Sequence, residues 1–224
     1  MSACARLSRS TLAILVTAGL VLFAAEATAD GNPQLAQGEE GEVKPKGHFK
    51  VRRPAELTSA RAEAIYQQIV DQMAEAYGLS DLTEARVFVR WTRHNTAPYQ
   101  SATHGARYVS NYTNAVGKAY GKFEEAGVMP VGTLITKDSF TAVADGDIYP
   151  GPLFFMEKMD AGFNPKSGDW KYTMVMPDGS LFGITNGEGS ENVEYCIGCH
   201  AAVEDQDHLY FIPDEFRCRA LVVE

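Results

Sequence analysis

The chain has 224 residues, 45% of them hydrophobic, and a formal charge of -9 from 29 acidic against 20 basic side chains. That acidity argues against nucleic acid or an anionic membrane as a partner and suits docking to a basic, soluble redox partner. The length allows one domain with a substantial core after some N-terminal elaboration.

Residues 1–29 read as a secretory signal peptide. Arg6 and Arg9 form a positive start, Leu12 to Ala25 an apolar core, and Ala27-Thr28-Ala29 a small-x-small cleavage site before Asp30. The segment is too short and too oddly flanked to favour a membrane span, and no cysteine stands at the cut for lipid attachment. The mature chain is therefore expected in a bacterial periplasm, without stable membrane insertion. Residues 30–53 are rich in Gly, Pro, Glu and Lys and poor in apolar side chains, which predicts a flexible linker with His48 exposed on it.

Residues 54–105 are expected to form a helical extension. A first helix runs from a Thr58 or Ser59 cap to Tyr77, where Gly78 can end it. Ala62, Ile65, Tyr66, Ile69, Val70, Met73 and Tyr77 make an apolar stripe at helical spacing. Asp81 and Glu84 have capping-box spacing ahead of Leu82, Ala85, Phe88 and Val89, which favours a second helix, although Arg86 to Trp91 also alternates like a strand. Asn95 to Pro98 and Ser101 to Gly105 read as loop carrying His94 and His104; either could approach a cofactor, and a hydrogen-bonded structural histidine is the preferred reading for each.

Residues 106–224 carry the pattern of a mostly β domain. Arg107 to Tyr112 looks like a strand, and Thr113 can cap a helix through Ala115, Val116, Ala119, Tyr120 and Phe123 to Gly127. Strands follow at Val131 to Thr136, Leu153 to Met159, Trp170 to Met176 and, after the turn Pro177-Asp178-Gly179, at Ser180 to Ile184. Short connections favour antiparallel pairing. The predicted class is α+β, an antiparallel β-sheet domain with flanking helices.

The chemistry lies in Cys196-Ile197-Gly198-Cys199-His200, predicted on a short helix. Cysteines at this spacing present both sulfurs from one side of a single turn, so both can add to the vinyl groups of one haem, and His200 is carried to the iron. Two other readings compete. A thioredoxin-like CxxC belongs at the start of a helix in a βαβ unit, whereas Thr185 to Ser190 is a polar, turn-rich approach. Zinc would have to draw on Cys196, Cys199, His208 and Cys218, and no familiar zinc spacing is completed. The expectation is one covalently attached haem c, with Cys196 and Cys199 as anchors and His200 as metal ligand. Export agrees with it; signal cleavage removes Cys4 and leaves Cys218 alone, as an intermolecular disulfide partner, a stray or, the simpler reading, a buried thiol.

In small electron-carrier cytochromes the motif lies near the N-terminus and a later methionine completes the iron coordination, but no methionine follows His200. Upstream, Met129, Met156, Met159, Met174 and Met176 are the available methionines; those in strands, like Met73 in the helical stripe, read as packing. The preferred state is an iron with one open face, which binds or activates a small molecule.

Several segments share an order and spacing: a strand and helix ahead of the sheet, Gly132-Thr133-Leu134-Ile135-Thr136-Lys137, Phe154-Phe155-Met156, Gly168-Asp169-Trp170, and Cys196 to His200 followed by Asp205 to Phe211. On these, residues from about Arg107 to Ile212 resemble the cytochrome P-460 family, which includes the cytochromes c′-beta. The helices between Pro54 and His94 have no counterpart in that pattern. The resemblance implies an antiparallel sheet with flanking helices, commonly a homodimer, carrying haem c with a histidine on one side and an open distal site.

Within that family the cytochromes P-460 oxidise hydroxylamine, and a lysine corresponding to Lys137 is joined to the porphyrin edge. The c′-beta proteins lack the link and bind nitric oxide in an apolar distal pocket. The resemblance thus implies Lys137 as a cofactor-binding and catalytic residue, because a bond to the macrocycle distorts it and alters the iron. On its strand Lys137 shares a face with Val131, Thr133 and Ile135, which suits a cofactor-facing wall, although the opposite face offers Leu134; the simpler reading is a strand-end lysine whose amine reaches water. The expected function is a periplasmic mono-haem protein that oxidises hydroxylamine or handles related small nitrogen oxides. The alternatives are a nitric oxide binding protein, with Phe154, Phe155 and Met156 as apolar cover, and a simple electron-transfer cytochrome. Glu188, Glu191 and Glu194 are candidates for a proton-accepting group beside the iron.

Overall fold

The computed structural model describes His48 and residues 51–218, all within one compact unit. The expected signal peptide and nearly all of the expected linker lie outside the described residues.

Helix α1 spans Ser59–Tyr77, and its cap is Thr58. The Thr58 backbone is extended and its Oγ1 accepts from the Arg61 N–H at 3.3 Å, satisfying one of the unpaired donors of a helix start. The apolar stripe buries Ala62, Ile65, Tyr66, Val70, Met73 and Tyr77, and the N–H of Gly78 returns to the carbonyl of Ala74. The surface that receives the stripe is a sheet.

Eight strands are present among the described residues: β1 (Thr92–Arg93), β2 (Tyr99–Ser101), β3 (Arg107–Thr113), β4 (Leu134–Ala142), β5 (Ile148–Pro150), β6 (Leu153–Lys158), β7 (Trp170–Val175) and β8 (Leu181–Ile184). The main order is β1-β3-β4-β6-β7-β8, with β2 also on β3 and β5 also on β4. Every pairing is antiparallel, as the short connections require. With its flanking helices the chain is an α+β protein.

Alternation along the strands divides the side chains between two faces. Tyr108, Tyr112, Phe140, Leu153, Phe155 and Val175 pack with α1. Val109, Ile135, Met156, Tyr172 and Met174 belong to a second cluster, joined by Tyr120, Leu209 and Ile212. Helix α1 is therefore a layer of the sheet's own body. Fully buried side chains such as Tyr66, Tyr77 and Met73 tie it down, and burial of this kind contributes roughly 1.5–3 kcal/mol per large side chain.

Several elements differ from expectation. Strand β4 starts at Leu134, because Gly132 at φ +83° and the Thr133 N–H to Pro130 carbonyl bond make a turn there, and it runs on to Ala142. Lys137 is thus in mid-strand. Helix α2 is short, Thr83–Val87, followed by a 3-10 turn over Phe88–Arg90; its N-cap is Leu82, which makes no side-chain cap bond, and Asp81 has no capping role. Thr113 ends β3 instead of capping an α-helix, and Asn114 Oδ1 takes the capping part by accepting from the Gly117 N–H at 2.9 Å. The next segment, Val116–Glu125, is a 3-10 helix broken at Phe123, which sits at φ 55°. Gly117 and Gly121 bring it close to Thr133 and His94, where an added Cβ would stand 2.9 and 3.0 Å from its neighbours.

Candidate cofactor site

Helix α3, Glu194–His200, carries the cysteine pair and the histidine. It lies over a cavity of about 1080 Å³, open mouth included, whose wall is the second face of the sheet. Cys196 is half-buried, Cys199 exposed and His200 buried, and all three line the cavity. Both thiols are free, and burial pushes that of Cys196 up to about 12.

The His200 ring packs against Tyr172 and Tyr210, with centroids 5.2 and 5.3 Å away. Its Nδ1 lies 2.7 Å from the carbonyl oxygen of His208. A carbonyl can only accept, so Nδ1 carries the hydrogen and the Nε2 lone pair is left for a metal, the usual arrangement of a ligating histidine. Burial and the nearby Lys137 lower this imidazole to about 4, so it is neutral at physiological pH.

The His208 carbonyl is itself held. Asp207 and His208 both have left-handed backbones, at φ 56° and 61°. Lys158 Nζ pairs with Asp207 Oδ1 at 2.5 Å, the Met129 N–H donates to Oδ2 at 2.8 Å, and Trp170 Nε1–H donates to the Asp207 carbonyl at 2.9 Å. Nothing in the sequence pattern pointed to this support beyond an Asp-His pair a few residues after the motif.

Lys137 shares the cavity face with Ile135, as alternation predicted. Only 9% of its surface is exposed, and its amine has no hydrogen-bond or ion-pair partner among the described residues. Burial lowers it to about 8. Phe154 and Met156 turn their side chains to the same cavity, as does Met174, whereas the Phe155 ring, expected beside them, lies on the α1 face against Trp91. Tyr172 presents a buried hydroxyl that lacks a partner among the described residues.

The glutamates fall elsewhere. Glu188 and Glu194 are exposed, Glu191 is half-buried, and among the described residues no Asp or Glu lines the cavity. His94 is a structural histidine, its Nε2 2.8 Å from Thr113 Oγ1 and its ring against Tyr120. His104 is hydrogen-bonded as expected, yet it also faces the cavity, and so does His48, which the sequence placed on an exposed linker. The zinc quartet does not assemble: among the described residues no group of three or more His, Cys, Asp or Glu side chains could hold a metal ion.

A haem fits these residues, with two thiols and an anchored imidazole on adjoining turns of α3 facing a largely apolar chamber that leaves the Tyr172 hydroxyl to be satisfied. Fold and site together define the class, a haem protein built on an antiparallel sheet. The sequence model of the Cytochrome P460 family matches residues 86–211, more than half of the chain, and the chain belongs to that family. The match takes in the end of α2 and the strands β1 and β2. No curated protein matches the chain.

Proposed function

We propose that the chain is an exported mono-haem protein whose open distal face oxidises hydroxylamine or handles related small nitrogen oxides. In this reading Cys196 and Cys199 attach haem c, each S–H adding across one vinyl group, and His200 holds the iron. The observation that carries it is the convergence of Cys196, Cys199, His200 and Lys137 on one cavity. Haem, when bound, supplies redox-active iron.

The chain's own residues supply the rest. His200 offers Nε2 because its Nδ1 is tied to His208. Ile135, Phe154 and Met156 exclude water from the chamber. Lys137, unpaired among the described residues and shifted towards the neutral amine, is the group suited to bond to the macrocycle edge, where a C–N bond would replace one amine N–H and one ring C–H with the two electrons and two protons passed to a peroxide-type oxidant; it would act on the cofactor and not on the substrate. A soluble redox partner exchanges electrons with the protein, which works in the periplasm after cleavage behind Ala29, as a homodimer.

One observation favours a second reading. Phe154 and Met156 give the cavity an apolar wall, which suits nitric oxide binding without a Lys137 link. Peptide mass spectrometry of mature holoprotein separates the two. In the enzyme reading the Lys137 peptide stays on haem independently of the Cys196 peptide, the protein turns over hydroxylamine with a chemical electron acceptor, and Lys137→Ala reduces that turnover. A free Lys137 peptide, or normal turnover by the variant, removes the role given to Lys137.

A further inference from the structure

The cavity has one polar region that the cofactor-binding residues do not use. His104 is 8% exposed, and its Nδ1 lies 2.9 Å from Ser101 Oγ and 3.3 Å from Thr103 Oγ1. His48, delivered from upstream of α1, has its Nδ1 2.9 Å from the Tyr195 hydroxyl on α3. The two imidazoles stack, with centroids 4.9 Å apart and planes 28° apart, and both rest on Phe154 at 4.9 and 5.1 Å. Hydroxyls thus occupy both Nδ1 atoms, and packing fixes both rings. The Nε2 atoms have no partner among the described residues, and both side chains line the cavity.

We propose that His48 and His104 form a two-imidazole recognition site, which hydrogen-bonds the polar end of a small neutral or anionic ligand held in the haem cavity. The proposal rests on the haem reading given above.

Three observations select that ligand class. With no carboxylate among the described residues of the wall, and with the Lys137 amine in the same chamber, the site disfavours cations. Burial, together with Lys137 and Arg107, holds both imidazoles well below their ordinary values, His48 at about 4, so they are neutral. A neutral imidazole shows the cavity either an N–H or a lone pair. Because a hydroxyl can donate to or accept from Nδ1, either tautomer of each ring is supported, and the pair can offer a donor and an acceptor side by side. That matches a molecule such as hydroxylamine or an azide-like anion, and it is wasted on a purely apolar diatomic gas. The pair also supplies what Glu188, Glu191 and Glu194 do not, a polar group facing the chamber.

The test is azide titration of ferric holoprotein, with His104→Leu, His104→Gln and His48→Leu beside the wild type, followed by absorbance and electron paramagnetic resonance. Loss of a hydrogen bond to a bound anion is expected to weaken azide roughly tenfold or more in each Leu variant. His104→Gln, which keeps an N–H, should recover much of that affinity, and the resting spectra should match wild type. Equal azide affinity in all four proteins overturns the proposal. So does a resting iron that changes from low to high spin on losing either histidine, since that histidine would then be an iron ligand. A wild-type chain that acquires no haem in cells able to attach it overturns the haem reading and this proposal together, whereas haem-loaded variants with unchanged azide binding overturn this proposal alone.

Discussion

His200 donates its Nδ1–H to the carbonyl of His208, and that carbonyl belongs to a turn in which two successive non-glycine residues are left-handed. Such residues cost about 1–3 kcal/mol each and persist only where their surroundings over-determine them. Here the surroundings are the buried Lys158–Asp207 pair and the donors of Met129 and Trp170. The strain therefore has a use, aiming one oxygen at the His200 imidazole, the proposed iron ligand.

Asp207→Asn is the direct test of that relationship. Asparagine tolerates a left-handed backbone, so the change removes charge with little added strain, and it leaves the Lys158 ammonium buried without its counter-ion. Breaking one side of a buried pair costs about 3–5 kcal/mol, which should appear as a lower midpoint in urea. The iron–imidazole stretching band of ferrous holoprotein should also move to lower frequency as the Nδ1 bond loosens. A lower midpoint with an unmoved band would make the turn a stabilising feature only.

Gly168 tests the same turn from the other side. It sits at φ +59°, and an added Cβ would lie 2.5 Å from Cδ2 of the His208 ring. Gly132, at φ +83°, has nothing within 4 Å of such a Cβ. Both Gly→Ala variants incur backbone strain, of order 1 kcal/mol, but only Gly168→Ala adds a clash with His208. The midpoint should fall further for Gly168→Ala, and its stretching band alone should move. Equal losses would mean that the contact with His208 carries no weight.

Much of this was legible in the residues. The α1 stripe with Thr58 before it and Gly78 after it, the antiparallel strands, and the cysteine pair on a short helix all follow from spacing within single segments. Lys137 could be assigned a face by alternation alone. The unread features depend on segments meeting across the chain. Strands β1 and β2, of two and three residues, are too short to show a period and exist because β3 offers them an edge. Val116–Glu125 has helical spacing, but packing at Gly117 and Gly121 draws it into a 3-10 path. His48 comes from a polar stretch with no pattern, and among the described residues Tyr195, His104 and Phe154 give it a place.

Glu188 and Glu191 ahead of α3 and Glu194 at its start were reasonable candidates because a carboxylate near an iron can accept protons, but none of them lines the chamber. Glu188→Gln, Glu191→Gln and Glu194→Gln are therefore expected to leave azide affinity and hydroxylamine turnover of the holoprotein unchanged, each measured against wild type at one pH. A loss in any of them would show that the loop bends inward when ligand is present.

Asp138 stands next to Lys137 and points to the opposite face, where Tyr66 donates to its Oδ2 at 2.5 Å and Tyr112 meets the Tyr66 hydroxyl. Its Oδ1 is buried without a partner among the described residues. Burial raises this carboxyl to about 7, against the opposing effects of the Tyr66 bond and Arg93. An unfolded aspartate titrates near ~4. Below that pH both states are protonated and ionisation costs nothing. Between the two values the unfolded chain ionises while the folded one keeps its proton, so stability falls as pH rises, and above about 7 the loss is complete and constant. Asp138→Asn has no such dependence. The difference in melting temperature, variant minus wild type, should therefore climb between roughly pH 4 and pH 7 and then level off, whatever its sign at the start. A difference that stays flat across that range would show that Asp138 is ionised in the folded protein, held by Tyr66 and Arg93 against the cost of burial.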